Sequence, residues 1–279
     1  MPDITIRASS LPGYPDCPRR YAARQFRADI KAMGYTLRDT GRSGAASVGT
    51  AVHAGAAHML APRIIGRDLA PLDEATDRAM EALSADLDEV GTVQWPQDTG
   101  NRNAAEQQVV RMVRAYAADI APHIRPVLVE QRLEVTVFPG VILSGQADVL
   151  AREADAVRDL KTGKRGSYKS QFGAYSLIAR THGMPVDEVH EDFVERTSLK
   201  KPQPPGVSFA HDAAACESAA YAVLHRIIDD RRRFLEGDDR TRLTPGDPWA
   251  FPANPGSKLC GAKWCPAHGT SFCVEHKED

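Results

Sequence analysis

Three observations along the chain predict an α/β (α+β) fold, with one small mixed sheet flanked by helices. The first 125 residues read mostly as helices. Three β-rich runs follow, separated by turn signals. After them come a helix, a further strand, a long helix and a tail rich in Pro and Gly. Helices combined with a short sheet in this order suit one layered core. Of 279 residues, 42% are hydrophobic and 26% charged, so a sizeable core is expected. The expected organisation is a helical portion over residues 1–125, a sheet-bearing core over 126–240 and a cysteine-bearing tail over 241–279, integrated as one domain.

Each element has its own warrant. "CPRRYAARQFRADIKAM" (17–33) has helical composition after a Pro. "AASVGTAVHAGAAHMLA" (45–61) is small, apolar and helical, and places His53 and His58 among alanines. "LDEATDRAMEALSADLDEV" (72–90) opens with acids, which suits a helix dipole. "NRNAAEQQVVRMVRAYAADIAPHI" (101–124) sets Val109, Val110, Val113 and Tyr116 at helical spacing. "PVLVEQRLEVTVF", "GVILSGQADVLA" and "AVRDLKTG" read as strands, with "PG" and "READ" as turns. In the second strand Val141, Leu143, Gly145, Ala147 and Val149 are expected on one face and Asp148 on the other. In the third, Asp159 and Lys161 share a face because side chains repeat every two residues. "SYKSQFGAYSLIART" is a helix ended by Gly183 and Pro185, and "EVHEDFVERT" a further strand. "DAAACESAAYAVLHRIIDDRRRFLEG" is a long helix closed by Gly237 that buries Cys216. The tail after Thr241 shows little regular structure and needs something to pin it.

Charge and cysteine usage narrow the function classes. Net charge is −2, so bulk electrostatics announce no polyanionic partner. Basic residues nevertheless cluster: Arg19, Arg20, Arg24, Arg27 and Lys31 in one stretch, and Lys161, Lys164, Arg165 and Lys169 in another. No apolar run approaches the roughly 20 residues of a membrane span. The opening "MPDITIRASS" carries no basic-then-apolar leader pattern, so a cytoplasmic protein is expected. Five cysteines, an odd number, argue against a disulfide framework. There is no "GxxxxGK[ST]" phosphate loop and hence no fused helicase engine.

The acids carry the chemistry. Asp148 and Asp159 lie on adjacent strands joined by a tight turn, and adjacent strands run about 4.8 Å apart. Two such carboxylates can share one Mg²⁺ or Mn²⁺ ion. Lys161 beside them would act on a metal-bound water or neutralise charge on a phosphate. A strand-end ion pair in water explains Asp159 and Lys161 equally well. "GQADVL", then "DLKTG", then "QFGAY" in this order resembles the PD-(D/E)xK nuclease superfamily. More narrowly the chain is similar to its RecB-like and CRISPR-associated iron–sulfur exonuclease members. The resemblance implies a restriction-endonuclease-like core. It implies that His53, in "GTAVHAG", joins Asp148, Asp159 and the Leu160 carbonyl as metal ligands, and that Lys161 is catalytic. It implies that Gln171 and Tyr175, four residues apart on one helix face, serve near the DNA and the active site. Glu130, in "LVEQRLEV", resembles an acid that precedes the sheet motifs, with a second-metal or outer role.

The same resemblance implies a [4Fe–4S] cluster on Cys17, in "YPDCPRRYAARQ", and on Cys260, Cys265 and Cys273, since four thiolates are what such a cluster needs. Zinc on the three tail cysteines with His268 or His276 is the competing reading. Either would pin the tail. Arg19, Arg20, Arg24, Lys164 and Arg165 would then contact a DNA backbone, and Tyr21, Phe26 or Trp264 would stack on bases or pack. The expected function is a metal-dependent DNA exonuclease acting on single strands or ends. It would act alone or with a separate helicase, recombinase or CRISPR adaptation partner. The alternatives are a prespacer-processing nuclease and a non-catalytic DNA-binding assembly subunit.

Overall fold

The computed structural model describes residues 3–89, 93–152, 156–163 and 165–275. In chain order the elements are β1 (Ile4–Arg7), α1 (Pro18–Gln25), α2 (Arg27–Ala32), β2 (Arg42–Ser43), α3 (Gly44–Leu60), α4 (Leu72–Glu89), β3 (Val93–Gln94) and α5 (Arg102–Asp119). Then follow β4 (Pro126–Phe138), β5 (Val141–Ala151), β6 (Ala156–Gly163), α6 (Lys169–Thr181), β7 (Glu188–Glu195), β8 (Val207–Asp212) and α7 (Ala213–Glu236).

The local chemistry of the termini explains many boundaries. Pro18 opens α1, where its missing N–H costs nothing, and the Cys17 thiol accepts from the Arg20 amide. Asn101 and Asp212 cap α5 and α7 with side-chain oxygens. Gly140, at φ 74°, turns β4 into β5. The single helix expected over 17–33 is broken at Phe26, whose φ and ψ of −114° and 35° leave the helical region. The break lets the Phe26 ring enter the core, edge-on to Tyr21 at 5.9 Å between centroids.

The main sheet runs β1–β5–β6–β7–β8, with β4 also paired to β5. β4 covers one edge of β5 along its length. On the opposite edge β1 pairs with residues 141–144 and β6 with residues 149–151. Residues 145–148 of that edge therefore have no strand partner among the described residues. The sheet opens there, and Asp148 stands in the opening. β6 and β7 are parallel and joined through α6, and β8 returns antiparallel. β1 and β8 were not among the expected strands; both are short, and β8 is largely exposed.

Two apolar layers cover the sheet. One joins α1, α2, α6 and α7 to Val141, Leu143 and Val157 and takes in Phe251 and Phe272 of the tail. The other joins α3, α4 and α5 to Val149, Leu160 and Val194. Helices α1 and α2 and helices α3–α5 thus belong to different layers. The expected alternation along β5 fails after Ala147: Val149 joins the α3–α5 layer, while Leu150 packs on the α6 side. Opposite this point, Glu130 takes a left-handed φ of 52°, uncommon for a residue with a side chain. The parity change and the left-handed Glu130 thus face each other across β4 and β5.

The basic N-terminal stretch has a different job from the one expected. Arg19 and Arg20 are only 1% and 5% exposed, so neither offers a DNA surface. Arg19 donates to the Phe251 and Pro248 carbonyls at 2.9 Å and pairs with Glu275. Arg20 donates to Ser257 Oγ at 2.9 Å and to Asp16 at 2.5 Å. Arg24 is exposed but spends a donor on the Trp264 carbonyl at 2.6 Å. Tyr21 and Phe26 are buried packing residues. Among the described residues the tail forms no named strand, and guanidinium donors bind its polar groups instead, Arg19 and Arg24 its carbonyls and Arg20 the Ser257 hydroxyl.

Candidate functional site

Five elements deliver the polar groups to one cleft: α3 gives His53, β4 gives Glu130, the opening in β5 gives Asp148, and β6 with α6 gives Asp159, Lys161, Gln171 and Tyr175. The cleft has two lobes, of about 680 and 330 Å³, which share Ser9, His53, Glu130, Gln146, Lys161 and Gln171.

At the centre, His53 Nδ1 lies 2.8 Å from Asp148 Oδ1 and 3.8 Å from Glu130 Oε1. His53, Glu130 and Asp148 form the one set of three metal-ligating side chains within 4.8 Å of one another among the described residues. Asp148 Oδ2 accepts the Leu160 amide at 2.5 Å, which ties β5 to β6 where the ladder is absent. Glu130 is steadied by Gln146 Nε2 at 2.6 Å. Burial opposes charge on His53, but the charge and hydrogen bond of Asp148 outweigh it and raise the imidazole to about 10. Burial, with Asp159 nearby, lifts Asp148 to about 6 against the pull of His53. Hydrogen bonds from His53 and Gln146 hold Glu130 below its usual range despite burial.

The second half is a connected network on β6 and α6. Lys161 Nζ sits 2.7 Å from Asp159 Oδ2 and donates to Gln171 Oε1 at 2.9 Å. Gln171 Nε2 donates to Tyr175 Oη at 2.9 Å and to Asp159 Oδ1 at 3.3 Å. The ammonium also faces the Tyr168 ring at 4.5 Å. Burial, and the carboxylates of Asp159 and Asp148, push the Tyr175 phenol up, so it stays neutral.

The expected ligand set is redistributed. Asp148 and His53 meet as expected. Glu130, given the lesser role from the sequence, stands closest to them, while Asp159 is engaged by Lys161 and Gln171. Leu160 contributes its N–H to Asp148, and its side chain is buried in the α3–α5 layer. Arg165 is exposed, stacked over Phe209 at 3.9 Å and 3.8 Å from Glu191. Lys164 and His276 lie outside the described residues, as do residues 153–155 of the "READ" turn. His58 is half-exposed beside Glu74, at 3.5 Å, and away from the cleft. Gln146, Arg132 and Arg7 also line the cleft and had no role in the sequence reading. The signal for Gln146 was its place two residues before Asp148, on the same face of β5.

The donor set suits a hard divalent cation. Two carboxylates supply oxygens and an imidazole a nitrogen, a set that suits Mn²⁺ or Mg²⁺ with waters completing the shell. Asp159 Oδ2 is buried without a hydrogen bond of good geometry, although Lys161 is near, so it has capacity to spare. In a separate cavity Cys17, Cys260, Cys265 and Cys273 line the wall with His268. Among the described residues, no three Cys or His ligand atoms there fall within 4.8 Å of one another. Tetrahedral zinc with bonds of about 2.3 Å would hold its sulfurs about 3.8 Å apart.

The family model for the PD-(D/E)XK nuclease superfamily matches residues 6–270. No curated protein matches the sequence. Among solved structures, the chain is similar to a "Putative exonuclease" from Eubacterium rectale, with 13% identity, 80% of each chain covered and a TM-score of 0.54. That likeness shows the fold. Similarity to SSO0001 covers 71% of this chain and 83% of that one, at 10% identity and a TM-score of 0.29, and carries no argument.

Proposed function

Because the chain belongs to the PD-(D/E)XK nuclease superfamily, we propose that it is a metal-dependent deoxyribonuclease that trims single strands or ends, in the manner of an exonuclease. One observation carries the reading: His53, Glu130 and Asp148 converge within 4.8 Å beside the Asp159–Lys161–Gln171 network. A binding subunit has no need of this arrangement. His53, Glu130 and Asp148 would hold Mg²⁺ or Mn²⁺, with Asp159 beside them. When bound, the cation supplies Lewis-acid polarisation of the phosphate and acidifies a water. Lys161 supplies a fixed positive charge where negative charge grows on the phosphoryl oxygens. Gln171 and Tyr175 hold Lys161 and Asp159 in register. The exonuclease name of the similar fold is consistent with action at ends.

The reading includes a structural [4Fe–4S] cluster and kinship to the RecB-like and CRISPR-associated iron–sulfur branch. Its support is that four cysteines, one from before α1 and three from the tail, line a single cavity. Burial raises the Cys265 and Cys273 thiols, so thiolates there need a cationic partner. Four thiolates are the ligand number such a cluster needs. Anaerobically purified protein is expected to be brown with about four irons per chain, and Cys17→Ser to lose them. Zinc at one per chain would overturn this part alone.

The function is tested by incubating the protein with end-labelled single- and double-stranded DNA and Mn²⁺ or Mg²⁺. Progressive shortening that stops on chelation is expected, with the label reporting polarity. Binding of DNA with no cleavage under any of these conditions would overturn the enzyme reading in favour of an assembly subunit.

A further inference from the structure

The chemistry above uses the centre of the cleft and leaves its Arg-lined end unassigned. Arg7 ends β1 directly beside Ser144 of β5, and Arg132 on β4 pairs with Gln146. Ser144, Gln146 and Asp148 alternate onto one face of β5, so the two arginines flank the same row of side chains that leads to Asp148. At about 3.3 Å per residue they stand roughly 7–13 Å before Asp148 along the strand. Both line the lobe that holds Asp148, Asp159 and Lys161.

Most arginines of this molecule that reach an interior are spoken for: Arg19 by Glu275, Arg20 by Asp16, Arg158 by Asp192 and Arg231 by Asp29. Arg7 and Arg132 are different. Both are exposed, and neither makes an ion pair within 4.0 Å among the described residues. Arg132 has only long contacts to neutral groups, Ser144 Oγ at 3.5 Å and Gln146 Oε1 at 3.4 Å. Glu134, the next residue on that face of β4, pairs with neither. Gln146 links the two regions, since its amide nitrogen binds Glu130 while its oxygen faces Arg132.

We infer that Arg7 and Arg132 form a phosphate-binding subsite that grips the substrate strand on one side of the scissile bond. The inference rests on the nuclease reading and deepens it. Two unneutralised guanidinium groups on one wall of a cleft match the geometry of a phosphate. The opposite lobe is lined by the start of α3 and by Tyr168 and has no arginine. Among the described residues the guanidinium groups of the cleft thus lie on one side of its acidic centre. The phosphate is either an internal phosphodiester or a terminal phosphomonoester, and the substrate arms below separate them.

Binding of fluorescein-labelled single-stranded oligonucleotide is measured by anisotropy over a salt series, in a Lys161→Ala background so that the probe survives. Adding Arg7→Ala and Arg132→Ala together is expected to weaken binding about tenfold or more at low salt and to lower the salt slope by about one. Circular dichroism should be unchanged, because both side chains are exposed. In the protein with native Lys161, cleavage is then compared on oligonucleotides carrying one neutral methylphosphonate at successive positions, and with or without a terminal phosphate. One position is expected to slow the native arginine pair and leave the double arginine variant indifferent. A methylphosphonate effect identifies the phosphodiester, and a terminal-phosphate effect the monoester. Unchanged affinity and salt slope in the arginine variant would overturn the subsite, even if DNA is cut. Lost affinity with no cutting by the native protein would keep the subsite and sink the nuclease reading instead.

Discussion

Gln171 is the residue on which the two halves of the candidate site depend. Its amide orientation is determined: the oxygen accepts from Lys161 and the nitrogen donates to Tyr175 and Asp159. Tyr175→Phe removes one acceptor and leaves a buried N–H unpaired, a loss of about 1–3 kcal/mol in principle. Cleavage is expected to fall several-fold while divalent-cation binding is kept, read by single-turnover kinetics beside a Mn²⁺ titration. Loss of cation binding in this variant would contradict the division of labour between the two halves. At this scale the sequence was informative for Asp148, Asp159, Lys161, Gln171 and Tyr175, because strand parity and helix spacing bring them together. It understated Glu130, because a left-handed residue inside a strand leaves no periodic mark. It also misassigned Arg19 and Arg20, because burial of an arginine is decided by acceptors more than 200 residues away, the Phe251 carbonyl for Arg19 and the Ser257 hydroxyl for Arg20.

The element that most constrains the site is β5. Gly145 lets α6 approach it: a Cβ there would meet the Tyr175 ring at 2.9 Å and Ile178 Cδ1 at 2.7 Å. Gly145→Ala would force α6 outward or turn the Tyr175 ring, and either displaces Gln171. The expected outcome is a folded protein with a lowered melting temperature and cleavage reduced at least tenfold, checked by calorimetry and kinetics together. Full activity would show that α6 yields without cost. The long helices were legible from composition, end signals and, in α5, helical spacing, and the central strands from alternation and turns. β1 and β8 were not: each is short, and each is defined by a partner rather than by its own pattern. The split of the 17–33 helix was hidden because nothing in its composition marks Phe26 as the place where a ring must turn inward.

At the scale of the molecule, the tail is held by charge and hydrogen bonds to the N-terminal helix. Asp16 joins the two, accepting from Ser257 Oγ at 2.7 Å and from Arg20. Burial would raise its carboxyl, but the hydrogen bonds of Ser257 and Arg20 hold it below the usual range. A depressed carboxyl stabilises the fold above its unfolded value of about 3.9, and that stability is lost as pH falls through the folded value. The melting temperature of the native protein should therefore exceed that of Asp16→Asn near neutral pH, with the gap closing below about pH 4. A gap constant with pH would contradict the role of the charge. The need for something to pin the tail was readable from its Pro and Gly content. The agents, buried arginines and one carboxylate, were not, since each acts across a long sequence separation.

Those scales meet in one claim, that the His53–Glu130–Asp148 centre and Lys161 together cut DNA. The direct measurement is single-turnover cleavage of end-labelled single-stranded DNA in Mn²⁺ by the native protein and by Lys161→Ala, with DNA and Mn²⁺ affinities measured on both. Lys161→Ala is expected to bind both ligands and cut about 10²–10³-fold more slowly, the usual cost of removing one preorganised charge from a reacting centre. Equal cleavage rates in the two proteins would contradict it and place the chemistry elsewhere.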